Sequence, residues 1–347
     1  MSRARDFADL AGSADAGGIT GKNLLVNGSM AISQRTSSTA SVTTGNIYAA
    51  CDRWSNSGSS FGTFTLSQST EAPAGFSNSF KYDCTTANAS LSANSHLGLV
   101  QKFEGQNLQM LEKGTSTAKP ITVSFWVKSN KTGDYTLEVD DRDNARTFSQ
   151  KYTIDSADTW EFKSLTFAGD TTGALDNDNA NSFHCSWWLA NGSDWTSGTF
   201  TTGWESKVKA NRVTPNQVNL ADSTSNEWYI TGCQMEIGEK ATPFEHRSFA
   251  DELQRCQRYY FTVQAPIAAD GRYYSGAHQN SFNVHRNFAV QMRTSPTTVA
   301  SYINLDNTAT LTLNSSKSGG VCLAGTFTNS SFMYGVFVDT STYDAEL

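Results

Sequence analysis

Apolar and polar positions alternate along long stretches of this chain, and that period of two predicts strands. Ile121, Val123, Phe125 and Val127 share one phase, opposite Thr122, Ser124 and Trp126. Tyr135, Leu137 and Val139 alternate next. Trp160 and Phe162 are followed by Leu165 and Phe167, a one-residue change of phase that predicts a β-bulge. Phe183, Cys185, Trp187 and Leu189 alternate with His184, Ser186 and Trp188, so two adjacent tryptophans are predicted on opposite faces of one strand. Trp228 and Ile230 open a further strand, which Gly232 is expected to bulge before Met235 and Ile237. Nearer the start, Leu24, Leu25 and Val26 read as a short strand closed by the turn signal Asn27-Gly28.

One segment breaks this rhythm. Residues 248–261, SFADELQRCQRYYF, place Phe249, Leu253, Cys256 and Tyr260 at steps of 4, 3 and 4, one apolar stripe of a helix with Ser248 as its N-cap. Such a stripe either docks on its own domain or forms a seam between subunits. Strand signals resume with Phe282, Val284, Phe288, Val290 and Met292, then Leu311 and Leu313, then Val321, Leu323 and Phe327, then Phe332 to Val338. The expected fold is mainly β. It comprises an N-terminal segment (1–22), an antiparallel jelly-roll β-sandwich (23–247), a connecting helix (248–261) and a smaller β domain (262–347). No repeat of 20–50 residues is present, which argues against a solenoid.

Composition narrows the function classes. The 347 residues include only 17% charged side chains and carry a net charge of −7. No basic patch runs along the chain, so nucleic acid is not an expected partner. No run of about 18 apolar residues exists, so membrane insertion is not expected either. Residues 1–22 lack the apolar centre of a secretory leader. Six cysteines (Cys51, Cys84, Cys185, Cys233, Cys256 and Cys322) lie far apart, without the close pair of a zinc site, and are expected as reduced thiols.

Candidate chemistry is sparse. There is no G-x-S-x-G, and His96, His184, His246, His278 and His285 show no catalytic spacing, so no catalytic residue, metal or cofactor is expected. Asp140, Asp141, Asp143 and Asn144, and likewise Asp176 to Asn179, supply the oxygens that calcium prefers. Neither run has the central Gly and closing Glu of an EF-hand, and solvated turns are the simpler reading. Trp187, Trp188 and Trp195, with Trp204 nearby, form the densest aromatic set among polar neighbours. Flat rings flanked by amides and hydroxyls hold sugars, which makes Trp188, Trp195 and Trp204 the candidate glycan contacts beside a purely structural role.

Several stretches resemble a known family. GKNLLVNGSMAISQR and then CDRW at 51–54 resemble the start of phage tail-fibre-like virion proteins of the marine-phage type. TAKPITVSFWVKSNKTGDYTLEV is similar to the central strands of their carbohydrate-module-like jelly roll. WYITGCQMEIGEKATPFEHRSFADELQRCQRYY is similar to their closing strand and following helix. SRARDFADL resembles their short N-terminal element, so the resemblance covers most of residues 3–260, whereas the last 87 residues match loosely through FAVQMRTSPTT.

The resemblance implies a non-enzymatic structural protein of the virion, homotrimeric, with a receptor-facing or glycan-binding sandwich, and it supplies no ligand residues. The resulting expectation is a tail fibre or appendage subunit on the tail or head surface, assembled in the host bacterial cytoplasm. Arg3, Arg5, Phe7 and Leu10 would attach it to other virion proteins, and a host-surface glycan would be its ligand. Phe249, Leu253, Cys256 and Tyr260 would lie at the threefold axis or the interdomain junction. The alternatives are a capsid decoration (head fibre) protein using the same parts and a phage glycan depolymerase, which would need a catalytic cleft.

Overall fold

The computed structural model describes residues 21–262, 265–270, 281–299, 302–304, 309–327, 334–339 and 341–347. The chain divides into two compact units, residues 1–249 and 250–347. The first contains strands β1 (Ser38–Val42), β2 (Ser55–Ser59), β3 (Thr63–Ser69), β4 (Ser79–Thr86), β5 (His96–Glu104), β6 (Ile121–Ser129), β7 (Gly133–Asp141), β8 (Arg146–Ile154), β9 (Glu161–Phe167), β10 (Asn181–Asn191), β11 (Glu205–Ser206) and β12 (Glu227–Ile237). A single helical turn, α1 (Ser193–Thr196), interrupts the loop between β10 and β11.

These strands build two six-stranded antiparallel sheets. Sheet A has the order β1-β3-β4-β12-β6-β9 and sheet B the order β11-β8-β7-β10-β5-β2, with the chain crossing repeatedly between them. The fold is therefore mainly β, a sandwich with few helices. Inward positions of both sheets make one core, because period-two alternation aims every second side chain at the opposing sheet. Phe125 of sheet A meets Trp187 of sheet B edge to face at 5.6 Å, and Trp187 also packs on Trp54 at 5.5 Å. Trp54, Trp187 and Trp228 are completely buried, so the aromatic residues supply a large share of the apolar area that holds the sheets together.

The predicted inward sets on β6, β7 and β10 are all buried. At Gly232 the register of β12 against β6 shifts between Thr231 and Gln234, and the glycine adopts φ +62°. The extra residue moves the inward phase from Trp228 and Ile230 to Cys233 and Met235, so both halves of β12 face the core. A Cβ at Gly232 would lie 2.6 Å from the Phe76 ring, so packing as well as backbone favours glycine there.

Other expectations are corrected. β9 pairs with β6 without a bulge, from Ile121↔Phe167 to Val127↔Glu161. Phe162 simply belongs to the outward phase, where it stacks beside Trp126. Leu24 to Val26 form no strand; the segment is irregular, tied by Leu24 N to Met235 O (2.8 Å), while Leu25 is buried. Asn27 takes φ +59° at the predicted turn.

The second unit opens with helix α2 (Phe249–Gln257), shorter than the expected 248–261. Tyr259 N closes a turn on Cys256 O (2.9 Å), and Tyr260 passes into a strand, Tyr260–Thr262. Of the predicted stripe, Cys256 and Tyr260 are buried, Leu253 is half-buried and Phe249, the first residue of the helix, is 64% exposed, while Tyr260 lies beyond the helix end. Three three-stranded antiparallel sheets follow: Tyr260–Thr262 with Thr342–Asp344 and Thr297–Val299; Ala265–Asp270 with Tyr334–Asp339 and Tyr302–Asn304; Ser281–Asn287 with Gly320–Phe327 and Ala309–Lys317. The apolar run from Phe288 to Met292 lies beyond the strand it was expected to continue, although Met292 is buried.

Candidate functional site

The outward phase of sheet A carries aromatic residues at its β9 edge. Trp126 on β6 sits directly opposite Phe162 on β9, with ring centroids 5.5 Å apart. Trp126 is half-buried and Phe162 is 48% exposed. Trp160, just ahead of β9, contacts Tyr229 of β12 edge to face at 6.2 Å. Tyr229 faces Lys128, the residue two beyond Trp126, so the four rings fall on adjoining positions of three neighbouring strands. Further along the same face Ser164, opposite Ser124, is exposed, whereas Ser124 and Thr122 are buried. The Thr122 and Thr166 hydroxyls are committed to Gly238 O (2.8 Å) and Glu239 O (3.0 Å), so the accessible arrangement is the rings with the Ser164 hydroxyl beside them.

Charged groups border the rings. Lys128 Nζ pairs with Glu71 and stands 4.4 Å above the Tyr229 ring. Lys81 Nζ lies between Glu227 (2.7 Å) and Asp83 (3.9 Å), and Tyr229 donates its hydroxyl to Glu227 at 2.5 Å. Burial raises the Glu227 carboxyl, but the bonds from Lys81 and Tyr229 outweigh it and hold the group below the usual carboxylate range. Burial and the neighbouring Glu227 both push the Tyr229 phenol upward. Lys163 bonds Glu161 (2.6 Å) and Asp155 (3.2 Å).

The tryptophans expected to hold sugar lie elsewhere, and two of them are enclosed. Trp188 is only 3% exposed and Trp195 7%. The segment from Gly192 to Val218 crosses the outer face of sheet B and closes over them. Arg212 forms a bidentate pair with Glu138 (2.7 and 2.8 Å), Trp188 Nε1 donates to the same carboxylate (2.8 Å), and the guanidinium stands 5.3 and 4.9 Å from the Trp188 and Trp195 rings. A Cβ at Gly98 would come within 2.9 Å of Trp188, so this glycine leaves the indole its room. Trp195 was expected at the surface because its sequence context is turn-like. Its ring instead packs on Trp188 (5.1 Å) and His96 (4.6 Å).

Trp204 is half-buried and lines a small, shallow recess with Lys113, Lys119, Ile121, Asp170 and Phe183. Its Nε1 donates to Ala168 O at 2.7 Å. Lys113, 4% exposed, is surrounded by Asp141, Asp170 (3.1 Å) and the carbonyls of Thr172 (2.9 Å) and Gly173 (2.8 Å). Asp170 also receives Arg146 Nε at 2.7 Å and Nη2 at 3.1 Å. Asp140 and Asp141 are thus buried in ion pairs rather than part of a solvated turn, whereas Asp143 and Asn144 beside them are exposed. Asp141 is spent on Lys113, and Asp140 on Lys207 (2.5 Å) and Arg142 (3.3 Å). Asp176 and Asp178 are exposed. Among the described residues no group of three His, Cys, Asp or Glu side chains could hold a metal ion.

Arg3, Arg5, Phe7 and Leu10 lie outside the described residues. The six cysteines form no disulfide with one another. Burial pushes the Cys51, Cys185 and Cys233 thiols well above their ordinary value and Cys84 to about 11. The Trp126–Phe162 patch was missed as a site, although its signal was present: an aromatic residue in the polar phase of a strand whose other phase is wholly apolar.

No protein-family model matches the sequence, and a search of curated proteins found no match. Solved structures match at low similarity. One is the enzymatically active domain of tailspike protein 4 of bacteriophage CBA120, 14% identical over 62% of this chain and 21% of that chain, with a TM-score of 0.33. Another is the family 11 carbohydrate-binding module of a Clostridium thermocellum cellulosomal cellulase, 12% identical over 60% of this chain and 99% of that one, TM-score 0.29. A third is a xylan-binding domain from Paenibacillus barcinonensis, 11% identical over 59% and 94%, TM-score 0.27. Similarity of that degree transfers neither ligand nor activity to this chain.

Proposed function

We propose that this chain is a structural subunit of a virion appendage, of the tail-fibre kind, which holds a host-surface glycan on sheet A and does so without turnover. The observation that carries this reading is the patch of Trp126, Phe162 and Trp160 beside the exposed Ser164 hydroxyl. Ring faces stack on the apolar faces of sugars while hydroxyls and carboxylates take their hydrogen bonds. The resemblance of residues 21–54 and 228–260 to tail-fibre-like proteins supports the virion setting, with residues 1–22 as the attachment segment.

A shallow sugar site binds weakly alone and gains from linked copies through effective concentration. The resemblance to tail-fibre-like proteins implies that the linked copies are three, a homotrimer of about 113 kDa from 37.7 kDa chains. Light scattering of the full chain checks this, and a stable monomer would remove the multivalent part of the reading. The glycan assignment is tested on an array of bacterial surface polysaccharides with the full chain, Trp126→Ala and Phe162→Ala. Binding that both substitutions weaken is expected; binding indifferent to both would end it.

A further inference from the structure

We infer that the aromatic patch of sheet A takes uncharged glycan chains and rejects those bearing uronate or sulfate, an inference that rests on the glycan-binding reading above. Each described ammonium on the ring face is already matched: Lys128 by Glu71, and Lys81 by Glu227 and Asp83. Two ammoniums thus face three carboxylates, leaving one negative charge in surplus. A carboxylate or sulfate on a sugar would have to break one of these pairs or sit unpaired in that field, and both oppose binding. Neutral sugars meet no such conflict. The bordering carboxylates keep spare lone pairs, which accept from sugar hydroxyls but not from another anion.

The ring positions agree with this choice. A sugar lying on the Trp126 and Phe162 rings has the exposed Ser164 on one side and the pair of Lys128 with Glu71 on the same outer face. The Tyr229 hydroxyl is already donated to Glu227, so it offers an incoming anion no donor.

Affinity electrophoresis of the full chain at low salt, where exposed charges are least screened, tests the inference. The probes are a soluble β-1,3-glucan and a galactomannan as neutral chains, and alginate and chondroitin sulfate as anionic ones. At least one neutral probe should bind about tenfold or more tightly than either anionic probe, about 1.4 kcal/mol. Trp126→Ala and the more exposed Phe162→Ala should each weaken it. Glu71→Gln, which releases Lys128, should raise affinity for alginate severalfold and leave the neutral probe unchanged. If alginate or chondroitin sulfate binds as tightly as the neutral chains and Trp126→Ala abolishes it, the charge inference falls while the glycan-binding reading stands. No gain in alginate affinity for Glu71→Gln likewise overturns the charge inference. Binding to none of the four probes, or binding indifferent to both ring substitutions, overturns inference and reading together.

Discussion

The two outer faces of the sandwich treat the same kind of residue in opposite ways. On sheet B, Trp188 occupies the polar phase of β10 with its Nε1 donated to Glu138, and the 192–218 segment returns over it, packing Trp195 on its ring and placing Arg212 against both indoles. On sheet A, Trp126 occupies the polar phase of β6 and stays half-exposed beside Phe162. An aromatic in the polar phase of a strand therefore reports only that it lies off the core. Whether the chain crosses back over it decides between structure and recognition, and a dense run of tryptophans marks a place where the chain does cross back.

That contrast can be broken most forcefully at Arg212. Arg212→Leu leaves Glu138 buried with its charge unpaired, a loss typically of about 3–5 kcal/mol. Urea unfolding of the variant should show a loss of that size, with the glycan affinity of the folded protein unchanged. A loss below about 1 kcal/mol would mean that the crossing segment is not held by this pair.

Trp126→Ala should do the reverse. Its binding should fall about tenfold or more, whereas unfolding free energy should change by no more than about 1 kcal/mol, since the ring is half-exposed and no buried partner is stranded. A Trp126 variant that unfolds readily would make the sheet A patch structural too and erase the difference between the faces.

An effect that shows only on acidification lies at His184, on the sheet B side. Burial, with Arg142, Lys102 and Lys207 adding to it against the pull of Asp140, lowers this imidazole to about 3. The folded chain keeps it neutral, while the unfolded chain binds a proton below about 6.5. The stability this contributes is complete above about pH 6.5 and drains as pH falls toward 3. His184→Gln should flatten the decline between pH 6.5 and 4 in a series of urea midpoints. An unaltered slope would assign the decline to other groups.

Much of the sandwich was legible because burial on one face imposes strict alternation. Ile121 to Val127, Tyr135 to Val139 and Phe183 to Leu189 all gave their inward sets correctly, and Gly232 gave its bulge. Phe162 misled because a large aromatic was read as inward, whereas edge strands tolerate exposed rings. Leu24 to Val26 misled because an apolar triplet can be buried by a loop whose backbone bonds run to Asn23 and Gln101 side chains. The site was harder still. Trp188 and Trp195 could be recognised as enclosed only from contacts with Glu138, Arg212 and His96, partners up to about a hundred residues away in the chain, which no local pattern encodes.

The position of β12 bears on how the sandwich comes to exist in time. It is the last strand of sheet A in the chain but lies between β4 and β6, with Lys81 and Glu227 meeting across 146 residues. During synthesis β4 and β6 therefore emerge with facing edges unpaired, and those edges stay open until residue 237 has left the ribosome. Closing so distant a pairing makes folding slow for the size of the unit and leaves the nascent chain sticky in the interval. A gene fragment ending before residue 227 should yield aggregates rather than a smaller folded protein.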